Sequence, residues 1–126
     1  MSVLVDTSVW IRFLANRAPY AGELDDLLSR DEVSGHEFVF GELLIGDASG
    51  RKTLLSRYEI IDSAPMVPHQ EVAAFVRARR LHGRGIGWID AHLLASALVS
   101  DLTLWTADGA LEAVARELGV AYRQND

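Results

Sequence analysis

Four carboxylates stand where solvation is hardest: Asp6 closes the apolar run 2–5, Glu42 and Asp90 fall inside apolar helical segments, and Asp108 follows the run 102–106. A buried, unpaired carboxylate costs several kcal/mol, so each needs a cation, a hydrogen-bond donor or a proton. Glu42 lies four residues after Phe38 and three before Ile45, which puts it on their helical stripe. Asp90 shares a helix side with Leu94 and Ala97, and the polar His92 and Ser96 point away from that side. Asp6 and Asp108 each follow a strand, beyond the carboxyl ends where open α/β sheets bind ligands. Such clustering suggests a divalent metal site. An oxygen-only donor set suits Mg²⁺ or Mn²⁺ rather than zinc: there is no Cys, and His36, His69, His82 and His92 form no ligand spacing. A cation so held lowers the pKa of bound water and stabilises charge on a phosphoryl oxygen, which makes phosphodiester hydrolysis the natural chemistry.

Each position also has a plainer reading. Asp6 and Asp108 stand where Asp caps helices by accepting backbone N–H bonds. Glu42 and Asp90 can each be a buried structural carboxylate paired with an Arg. Their joint occurrence favours a site, because an inactive scaffold has no physical need to keep four mutually repelling carboxylates together. Arg77, Arg79, Arg80 and Arg84, with His82 among them, form the one dense basic stretch. It reads either as a solvated helix face or as a patch that grips phosphate or an acidic partner segment. The formal charge of -6 argues against strong non-specific attraction to nucleic acid.

Short apolar runs alternating with helical spacing predict an α/β fold with a parallel sheet. The first strand spans 2–5 and feeds a helix over 7–14; 18–22 reads as a turn around Pro19, and 23–29 as a second helix. A very short strand at 32–34 precedes a helix over 36–45 that Gly46 terminates. Residues 51–57 read as helical and 59–61 as a strand; Pro65 and Pro68 mark a boundary before a helix over 70–81. Gly83, Gly85 and Gly87 break that helix before 88–100 resumes, then come a strand at 102–105, a helix at 109–118 and a short last strand at 120–122. With 126 residues, 49% hydrophobic and no repeat, the chain reads as one domain, 1–126. No signal peptide or bilayer-length apolar stretch is present, so the expected location is cytoplasmic.

Other motifs carry less. The three glycines follow a helix rather than a strand and lack the spacing of a dinucleotide loop. Ser8 has no nucleophile-elbow context, and Trp88 and Trp105 read as core or core-edge aromatics. Aspartyl phosphotransfer is disfavoured, since position 8 is Ser rather than a second Asp and the sole lysine, Lys52, follows no late strand.

Val5-Asp6-Thr7-Ser8-Val9-Trp10, Gly41-Glu42-Leu43-Leu44-Ile45-Gly46, Ile86-Gly87-Trp88-Ile89-Asp90-Ala91 and Leu104-Trp105-Thr106-Ala107-Asp108 together resemble a PIN domain. More narrowly, the chain is similar to a VapC-type ribonuclease toxin of a toxin-antitoxin pair. The resemblance runs over nearly the whole chain. It implies a three-layer α/β/α sandwich with a central parallel sheet, and Mg²⁺- or Mn²⁺-dependent endonuclease activity on RNA. It carries metal binding and catalysis onto Asp6, Glu42, Asp90 and Asp108, with Ser8 and Thr106 as polar neighbours positioning a ligand or water. It further implies a homodimer and a cognate antitoxin that blocks the acidic groove. The alternatives are a housekeeping PIN nuclease without an antitoxin, or a non-catalytic interaction module on the same scaffold.

Overall fold

The computed structural model describes residues 2–46, 56 and 58–124. Strand β1 (Val3–Val5) is apolar and buried at every position, the pattern of a strand covered on both faces. It leads through Asp6 into helix α1 (Thr7–Leu14), followed by α2 (Tyr20–Ser29), β2 (Val33–Ser34) and α3 (Glu37–Ile45). After the prolines come α4 (His69–Arg79), α5 (Trp88–Ser100), β3 (Thr103–Trp105) and α6 (Gly109–Glu117).

The three strands form one parallel sheet in the order β2-β1-β3, with Leu4 opposite Ser34 on one side and Leu104 on the other. Helices cover both faces, giving the expected three-layer α/β/α sandwich. Because the chain first winds from β1 to β2 and only later reaches β3 on β1's other edge, the winding direction reverses at β1. The crevice beyond the carboxyl ends of β1 and β3 is therefore the topological switch point. Asp6 enters that crevice directly, its N–H donating to the Trp105 carbonyl at 2.9 Å.

Most expected elements stand where the sequence spacing puts them, with four differences. Helix α2 starts at Tyr20, inside the expected turn, where the Tyr20 ring stacks on Trp105 at 5.9 Å. The expected strand at 59–61 is the end of a helical turn: Ile60 projects into solvent, and pairing with the sheet is a single bridge between Gly35 and Ser63. The expected last strand reduces to one bridge between Leu104 and Ala121. Of the helix expected at 51–57, only Ser56 lies within the described residues.

The fourth difference concerns which faces are buried. In α3 the residues turned inward are Val39 and Leu43, whereas Ile45, expected to share a buried stripe with Glu42, is 89% exposed. Every side of α3 carries apolar residues, so their period does not single out the inner face. In α5 residues 91–97 are all buried, including His92 and Ser96. These polar groups do point away from Asp90, but into a second buried face rather than toward water.

That second face holds a polar knot between α3 and α5. His36 is wholly buried; its Nδ1 accepts the Phe38 N–H at 3.0 Å, and its Nε2 lies 3.2 Å from the Ser96 hydroxyl, which itself donates to the Pro65 carbonyl at 2.8 Å. This set of partners requires the neutral ring with its proton on Nε2. Burial, with a smaller contribution from His92, accordingly lowers the His36 pKa from 6.5 to about 4. The Tyr58 hydroxyl accepts the His36 N–H at 3.0 Å, and burial raises that phenol to about 12. The knot fixes the helix carrying Glu42 against the helix carrying Asp90.

Candidate active site

Asp6 is the deepest of the four acids, 6% exposed at the junction of β1 and α1. It occupies the N-cap position of α1, yet its side chain makes no capping bond. Its Oδ2 instead accepts two hydroxyls, from Ser8 at 2.7 Å and from Thr106 at 2.8 Å. Those hydroxyls are themselves fixed, because Ser8 Oγ accepts the Ala107 N–H at 2.9 Å and Thr106 Oγ1 accepts the Asp108 N–H at 3.0 Å. The structure thus brings Ser8 and Thr106 to the acid beside which the resemblance put them.

The other three carboxylates are each held by one local device. Thr7, in the first turn of α1, donates its hydroxyl to Glu42 Oε1 at 2.6 Å across to α3. Asp90 reaches back at the start of α5 and accepts the Gly87 N–H at 2.9 Å. Asp108 caps α6, its Oδ1 accepting from Ala110 N–H at 2.9 Å and Leu111 N–H at 3.3 Å. The capping reading of Asp108 is therefore correct as far as Oδ1 goes, and it leaves the second oxygen out of the cap. Sequence spacing alone does not mark Thr7 as a site residue; its bond to Glu42 does. The signal was its place in the polar triplet Asp6-Thr7-Ser8 directly after a buried strand.

Electrostatics ties the four together. Burial raises the Asp90 pKa above the ordinary carboxylate value, against the Gly87 hydrogen bond, and the charges of Asp6, Asp108 and Glu42 raise it further. Among the described residues no three acidic or imidazole side chains converge into a ready-made cation cage. The donors fit a hydrated hard cation, since Mg²⁺ keeps several of its waters and takes only one or two carboxylates directly.

The basic stretch divides. Arg77, Arg79 and Arg80 are exposed at the end of α4, where cations suit the negative end of the helix dipole, and none has an ion-pair partner among the described residues. Arg84, by contrast, is engaged in a two-pronged contact with Glu117 of α6. His69 and His82 are exposed and His36 is fully bonded, while His92 is buried with its Nδ1 unpartnered among the described residues. Trp105 is core, but Trp88, expected at the core or its edge, is 42% exposed beside Asp90. No helix among the described residues is long and apolar enough to cross a membrane.

Comparison with known proteins agrees with this architecture. Residues 3–117 match the model of the PIN domain family. The chain is 46% identical over 123 residues to Ribonuclease VapC32 of Mycobacterium tuberculosis, in strains CDC 1551 / Oshkosh and ATCC 25618 / H37Rv alike, covering 97% of each protein. The crystal structure of PAE2754 from Pyrobaculum aerophilum has a similar fold, with a TM-score of 0.59 and 22% identity over 90% of this chain and 84% of that one. A family model and a full-length relative thus converge with the sheet order and the acid-lined switch point: the chain belongs to the PIN domain family, and within it to the VapC type.

Proposed function

We propose that this protein is a divalent-metal-dependent endoribonuclease that hydrolyses RNA phosphodiester bonds, with Mg²⁺ as cofactor and Mn²⁺ as a substitute. The observation that carries the reading is Asp6, a carboxylate only 6% exposed that makes no cap and has no ion-pair partner among the described residues, and that two hydroxyls aim at the switch point. Its likeness to a protein named as a ribonuclease supports RNA as the substrate class. The VapC-type likeness also supports a toxin role for a single 1–126 domain, acting in the cytoplasm as a homodimer and neutralised by a cognate antitoxin.

Asp6, Glu42, Asp90 and Asp108 would hold the cation, directly or through water. Bound there, the cation would supply an activated water and neutralise charge on the phosphoryl oxygen. The chain's own groups do the positioning: Ser8 and Thr106 fix Asp6, Thr7 fixes Glu42, the Gly87 N–H fixes Asp90 and the first turn of α6 fixes Asp108. Arg77, Arg79 and Arg80, exposed and without an ion-pair partner among the described residues, would contact the RNA backbone or an acidic antitoxin segment, whereas Arg84 is committed to Glu117.

The test is cleavage of RNA by the purified protein in Mg²⁺ and in EDTA, with Asp6→Asn and Asp90→Asn as variants. Asparagine keeps an acceptor oxygen in each hydrogen-bonded place, so both variants should stay folded and lose cleavage. A folded variant that cuts at the wild-type rate removes that residue from the site.

A further inference from the structure

We propose that the cavity at the outer edge of β3 is a subsite for the RNA nucleotide adjoining the scissile phosphate, an inference that rests on the nuclease reading above. The cavity has a volume of about 670 Å³, ordinary for a ligand pocket, and lies where the carboxyl end of β3 meets α6 and the segment 119–124. Thr106 is part of its wall, and the Thr106 hydroxyl donates to Asp6 Oδ2 at 2.8 Å. One residue thus borders both the cavity and the deepest acid, so a strand that presents a phosphate at Asp6 carries a neighbouring nucleotide past this opening.

The walls are tethered without any ligand. The main chain of 120–122 is bound to β3: the Leu104 N–H donates to the Val120 carbonyl at 2.6 Å, and the Tyr122 N–H to the Leu104 carbonyl at 3.0 Å. The Tyr122 hydroxyl donates to Glu23 of α2 at 2.7 Å. The Trp105 ring packs both on Tyr20, stacked at 5.9 Å, and on Tyr122 at 5.1 Å.

The chemistry of the lining suits a ligand rich in oxygen acceptors. Trp105 and Gln124 both line the cavity, and their Nε1 and Nε2 donors are buried with no hydrogen-bond partner among the described residues. Buried donors are rarely left so, which makes these two the groups that an acceptor entering the cavity would relieve. Arg123 is exposed and has no ion-pair partner among the described residues, while Arg116 is drawn to Glu112. Two guanidinium groups against one carboxylate make the lining a positive spot in a chain of charge -6. A nucleotide offers the matching set: phosphate oxygens for a guanidinium fork, and acceptors on the base edge for an amide or indole N–H. The continuity of the cavity with Asp6 favours nucleic acid over an acidic peptide as the occupant.

The probes are uridine monophosphate and adenosine monophosphate, which have no internucleotide bond to cleave and so allow Mg²⁺ to be present throughout. In ¹H–¹⁵N spectra the three tryptophans each give an indole N–H signal, and Trp105→Phe identifies that of Trp105. Saturable displacement of the Trp105 signal by both nucleotides is expected. Arg123→Gln and Gln124→Leu should each weaken nucleotide binding about tenfold, and Arg123→Gln should raise KM for RNA more than it lowers kcat. The Trp10 signal, from the core, reports that each variant is folded. A Trp105 signal that stays in place at millimolar nucleotide, or two folded variants with wild-type affinity, overturns the proposal. Equal displacement by inorganic phosphate would make the cavity a bare anion site, and displacement by tetraglutamate but not by nucleotide would make it a peptide site; either overturns it. If the variants fail to fold, the wild-type titration decides alone. Nucleotide binding with no RNA cleavage in Mg²⁺ defeats the nuclease reading and leaves the nucleotide cavity standing; cleavage with a wild-type KM in Arg123→Gln does the reverse.

Discussion

A single side chain can satisfy a structural and a chemical demand together, and Asp108 shows how to separate them. One of its oxygens accepts two N–H groups at the start of α6, which is worth about 1 kcal/mol when a cap is replaced by Ala. Asn caps as well as Asp but carries no charge. Asp108→Asn should therefore unfold in urea at the wild-type midpoint, whereas Asp108→Ala should lose about 1 kcal/mol, and both should cleave RNA poorly. Equal stability of the two variants would mean that the cap is energetically idle, and full activity of Asp108→Asn would mean that the charge is. The same residue shows what sequence spacing leaves open: placing an acid after a strand is compatible with either role, and only the bonded partners distinguish them. Asp6, in the equivalent place after β1, turns out not to cap at all.

At the scale of elements, what was legible followed from period and punctuation. The apolar run before Asp6, the 88–100 helix and the glycine break ahead of it all stand as the residue order dictates. Missed features are those decided by tertiary contact. Tyr20 joins α2 because its ring finds Trp105, and Ile60-Ile61, with the β-branched signature of a strand, ends up half outside the core. Helix α3 is apolar all round, so a wheel could place Glu42 on a helix but not on the correct face. The start of α5, which aims Asp90, gives an element-scale prediction. Gly85 has φ +82°, a left-handed conformation costing a side-chain-bearing residue roughly 1–2 kcal/mol, whereas Gly87 is extended at φ -95° and an added Cβ would meet only Asp90 Oδ2 at 3.7 Å. Gly85→Ala should thus lower stability by about 1–2 kcal/mol and reduce cleavage, while Gly87→Ala costs less than about 1 kcal/mol as a weaker cap. Urea midpoints in the reverse order would show that the turn at Gly85 does not set the helix start.

For the whole molecule, the four acids are an electrostatic load that a proton or a cation can relieve. A carboxylate whose pKa is raised in the folded state, as that of Asp90 is, favours folding below its unfolded pKa, and this contribution is lost as pH rises through the folded value. Metal-free protein at neutral pH therefore carries the full repulsion, and a divalent cation bound there would take the place of the missing proton. At about one hundred times its dissociation constant, Mg²⁺ should add roughly 2.7 kcal/mol to the unfolding free energy, beyond the effect of NaCl at matched ionic strength. That increment should shrink as the solution is acidified toward the titration of Asp90, because proton and cation compete for the same site. His36 acts in the opposite sense: its pKa is lowered from 6.5 to about 4, so stability falls as pH drops below 6.5. His36 lies in the knot between α3 and α5 rather than among the four acids, so its contribution is the same with and without metal and cancels when the two curves are subtracted. The remaining pH dependence is expected from Asp90, and Asp90→Asn should remove most of it. Thermal unfolding of wild type and variant, each in MgCl₂ and in NaCl across the acid limb, measures the difference directly. Equal responses to the two salts would reject a specific site, and a Mg²⁺ increment indifferent to pH would show that Asp90 is not part of it.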